Sequence, residues 1–201
     1  MKLKEKIDKI ILASQSVVRQ KILLDHNINC DVVPSKLDEE PIKEKLIINN
    51  IDPDEISQNL ASLKAKKVSN KFFDRLVLGA DSVINLNGEL ISKPTNRKQA
   101  MDILKKLNGK IHHLISSVSI FKNGKEVWKY TDKASLTMKN FTNDQLENYL
   151  SKISDRDLYA YNVYQIEGEG RQLFQKIEGD ENTVMGLPVS KIKEYINSLK
   201  C

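Results

Sequence analysis

The sequence predicts a mixed α/β fold, and three features carry that reading. Short apolar runs bounded by turn residues alternate with stretches of helical periodicity. Two Asn-Gly dipeptides separate strand-like segments, and no Pro-, Gly- or Ser-rich linker divides the 201 residues. Hairpins among interleaved helices call for a mixed sheet, and without a linker any two lobes have to share it.

Ile10 to Ala13 reads as a buried strand, followed through Ser14 and Ser16 by Val18, Ile22 and Leu23 at helical spacing as far as Asn27. Asp31 to Val33 is a second strand closed by Pro34. Ile56, Leu60, Leu63, Ala65 and Val68 place one apolar stripe on a helix of about 17 residues, with Asp52 suited to the N-cap and Pro53 to the first helical position. Leu76 to Ala80 is a strand running into Asp81, and Val83–Leu86 with Glu89–Ile91 flank the turn Asn87-Gly88. Residues 96–107 are helical by Ala100, Ile103, Leu104 and Leu107, and stop at Asn108-Gly109. Ile111–Phe121 and Lys125–Met138 form a long antiparallel hairpin about Asn123-Gly124. Phe141 to Asp144 opens a helix bearing Leu146, Tyr149 and Leu150. Leu173–Ile177 is strand-like, and Pro188 precedes an amphipathic helix with Ile192, Tyr195, Ile196 and Leu199.

Composition excludes several classes. At 29% charged and 40% hydrophobic the chain is globular, and no apolar run approaches the ~20 residues that span a bilayer. The charged stretch Met1–Lys9 and the brief apolar run after it do not make a secretion signal, so no membrane association is expected. Cys30 and Cys201 are lone thiols, which suits a reducing cytoplasm, and with His26, His112 and His113 they show no zinc spacing. The net charge of +5 is built from 27 lysines and only five arginines. A surface reading nucleic acid would use more of the two-pronged guanidinium, so nucleic acid is not the expected partner.

Five places can carry chemistry. Leu12-Ala13-Ser14-Gln15-Ser16, with Arg19 one turn on, puts hydroxyls, free amides and a guanidinium at a helix start, an arrangement suited to phosphate; the plain alternative is that Ser16 caps the helix. Asp81, after the small residues Gly79 and Ala80 at the end of a buried strand, can hold a divalent ion or take a proton from water, or merely form a turn. Asp38-Glu39-Glu40 offers hard oxygen ligands for Mg²⁺ or Mn²⁺, or is a solvated loop. Lys64, beside the apolar stripe of its helix, and Lys93, between Ser92 and Pro94, can each reach a phosphate. Tyr164 to Gly170 carries Glu167 beside two glycines, Gly168 and Gly170; it can lie against a flat base with the Glu167 carboxylate accepting N–H groups, or be a bulged strand.

In order and spacing, these elements resemble the Maf family of nucleotide pyrophosphatases from Ile10 to Leu199. The resemblance rests on Leu12-Ala13-Ser14-Gln15-Ser16 with Arg19, Leu37-Asp38-Glu39, Leu60-Ala61-Ser62-Leu63-Lys64-Ala65, Gly79-Ala80-Asp81 and Lys93-Pro94. Gly109-x-x-His112, Ile177-Glu178-Gly179-Asp180 and Gly186-Leu187-Pro188 complete it. It implies one Maf-like domain over residues 1–201, a two-lobed fold like that of inosine triphosphatases, with a nucleotide cleft in an elongated mixed sheet, and a homodimer. The implied activity hydrolyses a nucleoside triphosphate to the monophosphate and pyrophosphate, a cytoplasmic house-cleaning reaction using Mg²⁺ or Mn²⁺. It implies Asp81 as proton acceptor, Glu39 and Asp81 as metal ligands, and Ser14, Ser16, Arg19, Lys64, Lys93, Ser82 and Glu167 as substrate-binding residues. Val17-Val18 departs from the family's proline-arginine, and Ser92 from its glycine. Glu167, with Gln172-Leu173-Phe174, resembles the 7-methyl-GTP branch rather than the one acting on dTTP and UTP, although Val18 and Ser82 differ from that branch. The missing arginine motivates the rival reading, a nucleotide-binding regulator of cell division with impaired turnover. A nucleic-acid binder, suggested only by a pI near 9.0, ranks last.

Overall fold

The computed structural model describes residues 9–199; Cys201 and most of the Met1–Lys9 stretch lie outside them. Seven strands form one sheet: β1 (Ile10–Leu12), β2 (Cys30–Val32), β3 (Val77–Leu86), β4 (Glu89–Ile91), β5 (Ile111–Lys122), β6 (Lys125–Met138) and β7 (Phe174–Glu178). Their order is β2-β1-β3-β5-β6-β7, with β4 beside β3. The β1 pairings with β2 and β3 are parallel and all others antiparallel, which is the expected mixed sheet. Asn87-Gly88 and Asn123-Gly124 make their two-residue turns with positive φ at both positions, the geometry that matches strand twist.

The helices are α1 (Val17–Asp25), α2 (Glu40–Ile48), α3 (Pro53–Ser69), α4 (Arg97–Leu107), α5 (Asn143–Ser151), α6 (Asp155–Tyr161), α7 (Glu181–Val184) and α8 (Val189–Ser198). None is long and apolar enough to cross a membrane among the described residues. Asp52 occupies the N-cap of α3 as expected but makes no side-chain capping bond. Three helices were not legible in the sequence: α2, α6 and the four-residue α7, too short to show a periodic stripe. α2 begins inside the acidic run expected as a loop, and it buries no residue, so it leaves no apolar stripe to find. α6 is short and announced only by Ser154, whose side chain caps it at Asp157.

Two apolar clusters share the long strands. One gathers Ile10, Leu12, Leu78, Ala80, Val118 and Ile120 under Ile22 and Leu23 of α1 and Ile192 and Ile196 of α8. The other gathers Ile84, Leu86, Ile91, Leu114 and Leu136 under α4, α5 and the segment around Tyr164. These are the two lobes, and β3 and β5 run through both.

The register of β3 creates the site. One edge of β3 pairs with β5 throughout. The other pairs with β1 only at Val77 and Leu78, and with β4 only from Ile84 to Leu86. Gly79–Val83 therefore has no strand neighbour on that edge, and the sheet opens there. Asp81 is in the middle of a ten-residue strand, not at a strand end as the sequence suggested. The small residues before it mark a close approach rather than a stop.

Gly79 is where that approach occurs. A Cβ there would lie 2.1 Å from the Ala61 carbonyl oxygen and 2.7 Å from the Ala65 amide nitrogen, both backbone atoms of α3. Gly79→Ala is expected to push α3 off the sheet and lower stability by about 2 kcal/mol, read as a lower midpoint in urea unfolding. An unchanged midpoint would contradict the tight packing.

Candidate active site

The opening in the sheet is the floor of a cleft of about 600 Å³, a volume typical of small-molecule sites. Ser14, Ser16, Arg19, Glu39, Lys64, Asp81, Ser82, Lys93 and Glu167 all line it, so the site residues expected from sequence are brought together. Cationic residues Arg19, Lys36, Lys43, Lys64, Lys93 and Arg156 face only the carboxylates Glu39, Asp81 and Glu167. Such an excess of positive charge in a concave site concentrates polyanions.

At its centre lies a buried ion triad. Lys64 Nζ is 2.7 Å from Asp81 Oδ1 and 2.9 Å from Glu39 Oε1. Lys64 and Asp81 are only 7% and 6% exposed, so the ammonium is committed to the two carboxylates. The close contact at Gly79 sets this geometry, because it brings the Lys64 turn of α3 down onto β3. Asp81 Oδ2 is buried with no hydrogen-bond partner. A bare buried carboxylate oxygen is costly unless something outside the protein satisfies it.

Charges around the triad reinforce one another. Burial works against the Glu39 carboxylate, but Lys64, Lys43 and Lys93 outweigh it and hold it below the usual carboxylate range. Lys43, 3.7 Å from Glu39 Oε2, is likewise desolvated, yet Asp81, Glu39 and Glu40 keep its ammonium above its ordinary value. Lys93 goes the other way: desolvation, then Arg19 and Lys43, press its ammonium down. Lys43 was missed in the sequence reading. Its only signal was helical spacing from Glu39, which means little in a segment taken for a loop.

Arg19 does more than expected. Nε donates to the Gly186 carbonyl at 2.9 Å, Nη1 to the Ala80 carbonyl at 2.9 Å and to Ser14 Oγ at 3.3 Å, and Nη2 to Ser82 Oγ at 3.0 Å. Four of the five guanidinium N–H groups are thus engaged. Arg19 substitutes for a strand partner at the bare edge of β3, tying α1, the sheet and the loop after α7 together. Its charge is not cancelled by any carboxylate within ion-pair distance among the described residues, so it still adds to the field in the cleft. Ser16 accepts from the Arg19 amide at 3.2 Å, so the capping alternative holds, and the residue also faces the cleft. Ser82 is similarly occupied: its hydroxyl meets Ser116 Oγ at 2.9 Å, and Ser116 donates to the Thr183 carbonyl at 2.7 Å.

The far wall is Tyr164, Gln165, Ile166 and Glu167, with apolar Ile84 and Leu114 nearby. Of the bland alternatives, the bulged strand does not occur: the segment is a turn leading into a 3₁₀ helix at Glu169–Leu173. The Gly109-x-x-His112 pattern ends in a fully buried histidine whose Nε2 is 2.9 Å from the Tyr164 hydroxyl.

Among the described residues no three His, Cys, Asp or Glu side chains converge on one point. Glu39 and Asp81 nevertheless fit a hard divalent ion: both are oxygen donors, and Asp81 Oδ2 is an orphaned acceptor beside them. Mg²⁺-type sites commonly use one or two carboxylates and complete the shell with substrate phosphates and water.

Comparison with known proteins finds relatives over nearly the whole chain. The nucleoside triphosphate pyrophosphatase of Pelagibacter ubique (strain HTCC1062) is 62% identical over 194 residues, covering 96% of this chain and 100% of that protein. The 7-methyl-GTP pyrophosphatase of Rhizobium johnstonii is 35% identical over 191 residues, covering 95% of this chain and 96% of that protein. The structure of a HAM1 protein from Coxiella burnetii aligns with 65% of this chain and 72% of that one, at a TM-score of 0.42 and 13% identity. A family model described as Maf-like protein matches residues 9–199, the whole span that forms the sheet, both lobes and the cleft, and the chain belongs to the Maf family.

Proposed function

We propose that this chain is a nucleoside triphosphate pyrophosphatase whose buried Asp81 accepts a proton from the water that attacks the α-phosphorus. The observation that carries this reading is Asp81 Oδ2, a carboxylate oxygen without a partner at the centre of a cationic cleft. Family membership and the relatives' names support the same activity.

Each residue then has a physical task. Lys64 holds Asp81 and Glu39 in place by direct contact, so that neither carboxylate swings away when a polyanion arrives. Lys43 and Lys93, which line the cleft, bind the β- and γ-phosphates as point charges. Ser14 and the start of α1 present a hydroxyl and amides to phosphate oxygens. Arg19 fixes the geometry of the floor and leaves one N–H for the substrate. Glu39 and Asp81 would hold a Mg²⁺ or Mn²⁺, which would supply neutralisation of the triphosphate charge and polarisation of the phosphoryl group. Asp81 takes the water's proton as the water oxygen bonds to the α-phosphorus, and the bond from that phosphorus to the α–β bridging oxygen breaks to release pyrophosphate. Glu167 accepts N–H groups from the base, which suits a guanine-type edge better than a uracil edge.

The test is a panel of canonical and 7-methylated nucleoside triphosphates with Mg²⁺ or Mn²⁺, scoring the first-formed product. Nucleoside monophosphate and pyrophosphate in equal amounts are expected. Direct release of orthophosphate would mean cleavage at the γ position and would overturn the assignment of the attack. Binding without any product would select the regulator with impaired turnover.

A further inference from the structure

We propose that His112 is a positioning residue for substrate selection: through Tyr164 it fixes the wall of the cleft against which the nucleobase rests. The inference rests on the pyrophosphatase reading above, and deepens it at the base end of the site.

His112 lies on β5 inside the second lobe and is fully buried. Among the described residues, the one hydrogen-bond partner of its side chain is the Tyr164 hydroxyl at 2.9 Å. The two rings sit with centroids 5.6 Å apart, and both pack on Phe174, at 5.8 Å from His112 and 4.8 Å edge-on from Tyr164. A three-ring cluster with a single internal hydrogen bond has one low-energy arrangement. Tyr164 is also the first of four consecutive residues lining the cleft, so what fixes its ring fixes where Gln165, Ile166 and Glu167 stand.

The chain on the other side of this segment is equally constrained. Gly170 packs so closely that a Cβ there would fall 2.4 Å from the Gln165 carbonyl oxygen and 2.6 Å from its amide nitrogen. The segment is therefore pinned by the Tyr164 ring at its start and by Gly170 behind it, with Glu167 between. A polar, buried histidine is an expensive way to fill apolar space, since its Nδ1 finds no partner at all. A leucine would pack there without that cost, but would leave the Tyr164 hydroxyl unheld and its ring free to tilt.

The experiment compares Tyr164→Phe, His112→Leu and His112→Gln with the wild type, on a preferred triphosphate, a disfavoured one and ribose 5-triphosphate, which has no base. Thermal unfolding of each variant confirms that it is folded. Loss of the hydrogen bond is expected to raise KM for the preferred nucleotide about fivefold, with kcat changed less than about twofold. Discrimination between the two bases should shrink by a similar factor, and KM for ribose 5-triphosphate should not move. His112→Gln, which can still meet the Tyr164 hydroxyl, should recover part of the discrimination that His112→Leu loses. The proposal is overturned if Tyr164→Phe and His112→Leu keep wild-type discrimination, or if KM for ribose 5-triphosphate rises as much as for the nucleotides. A wild type that releases no pyrophosphate from any triphosphate sinks the hydrolase reading alone. Dissociation constants from calorimetry then report the same discrimination and decide the role of His112 by the same criteria.

Discussion

Asp81→Asn is expected to lower pyrophosphate release by about 10³-fold, the scale set by removal of a general base, while the protein stays folded. The substitution keeps the shape of the side chain and leaves Lys64 in contact with Glu39 at 2.9 Å. It removes the negative charge, the ability to take a proton and one anionic oxygen donor to the metal, so the assays are run with Mg²⁺ or Mn²⁺ raised to saturation. The buried position makes this a clean comparison, because water cannot readily take over from a group that is 6% exposed. Steady-state assays of monophosphate formation, with urea unfolding as a control, read both quantities. Turnover within tenfold of the wild type would show that another group accepts the proton. A collapse of stability together with activity would instead mark Asp81 as the counter-ion that keeps Lys64 buried.

The contrast with Lys64 sharpens the point. Truncating Lys64 would leave Asp81 and Glu39 as two neighbouring carboxylates without their shared cation, an arrangement that costs stability whatever the chemistry. Only a change at Asp81 that preserves its contacts separates catalysis from structure. Arg19 belongs with Lys64 in this respect. Its expected role was to hold phosphate, but its bonds to Gly186, Ala80, Ser14 and Ser82 make it the residue that closes the open edge of β3. Val18 supplies no second arginine, but the cleft is also lined by Lys43, Lys93 and Arg156.

What the sequence made legible was what repeats locally. Asn87-Gly88 and Asn123-Gly124 specify their turns through backbone conformation alone, and both hairpins lie where they were expected. Ile56, Leu60, Ala65 and Val68 specify α3, because an apolar face must be covered, while Leu63 of the expected stripe is left exposed. The order of motifs was enough to gather Ser14, Lys64, Asp81 and Lys93 into one site. The gap in the sheet was not legible, because it depends on where β1 stops pairing and β4 begins, and neither event is written in the residues of β3. For the same reason Asp81 read as a strand end: Gly79 and Ala80 look like punctuation until α3 is seen lying against them. α2 escaped because a helix without a buried face has no periodic signal, and Lys43 escaped with it.

His112 also predicts how the fold responds to acid. Burial first, and the neighbouring His113 second, push its pKa down from 6.5 to about 4. The folded protein thus keeps this imidazole neutral, packed between Tyr164 and Phe174, with no carboxylate hydrogen-bonded to either nitrogen among the described residues. The sign follows from linkage. Above pH 6.5 both the folded and unfolded chains carry a neutral His112, and it contributes no pH dependence. Between about pH 6.5 and 4 the unfolded chain binds a proton that the folded chain refuses, so stability falls as pH falls, and below about 4 the loss is complete. A depression of this size corresponds to about 3 kcal/mol, a large share of the stability of a domain of ordinary size. His113 is shifted in the same direction, again by desolvation first, and steepens the trend. Carboxylates titrate in the same window, so the measurement is a difference: urea unfolding of wild type and His112→Gln at pH 7 and at pH 4. The wild type is expected to lose about 3 kcal/mol more than the variant on acidification. Equal losses would mean that the imidazole finds a way to carry its charge in the folded state, either by admitting water beside Nδ1 or by breaking from Tyr164. The second of these would release the wall of the cleft, so fading base discrimination at low pH would tell the two apart.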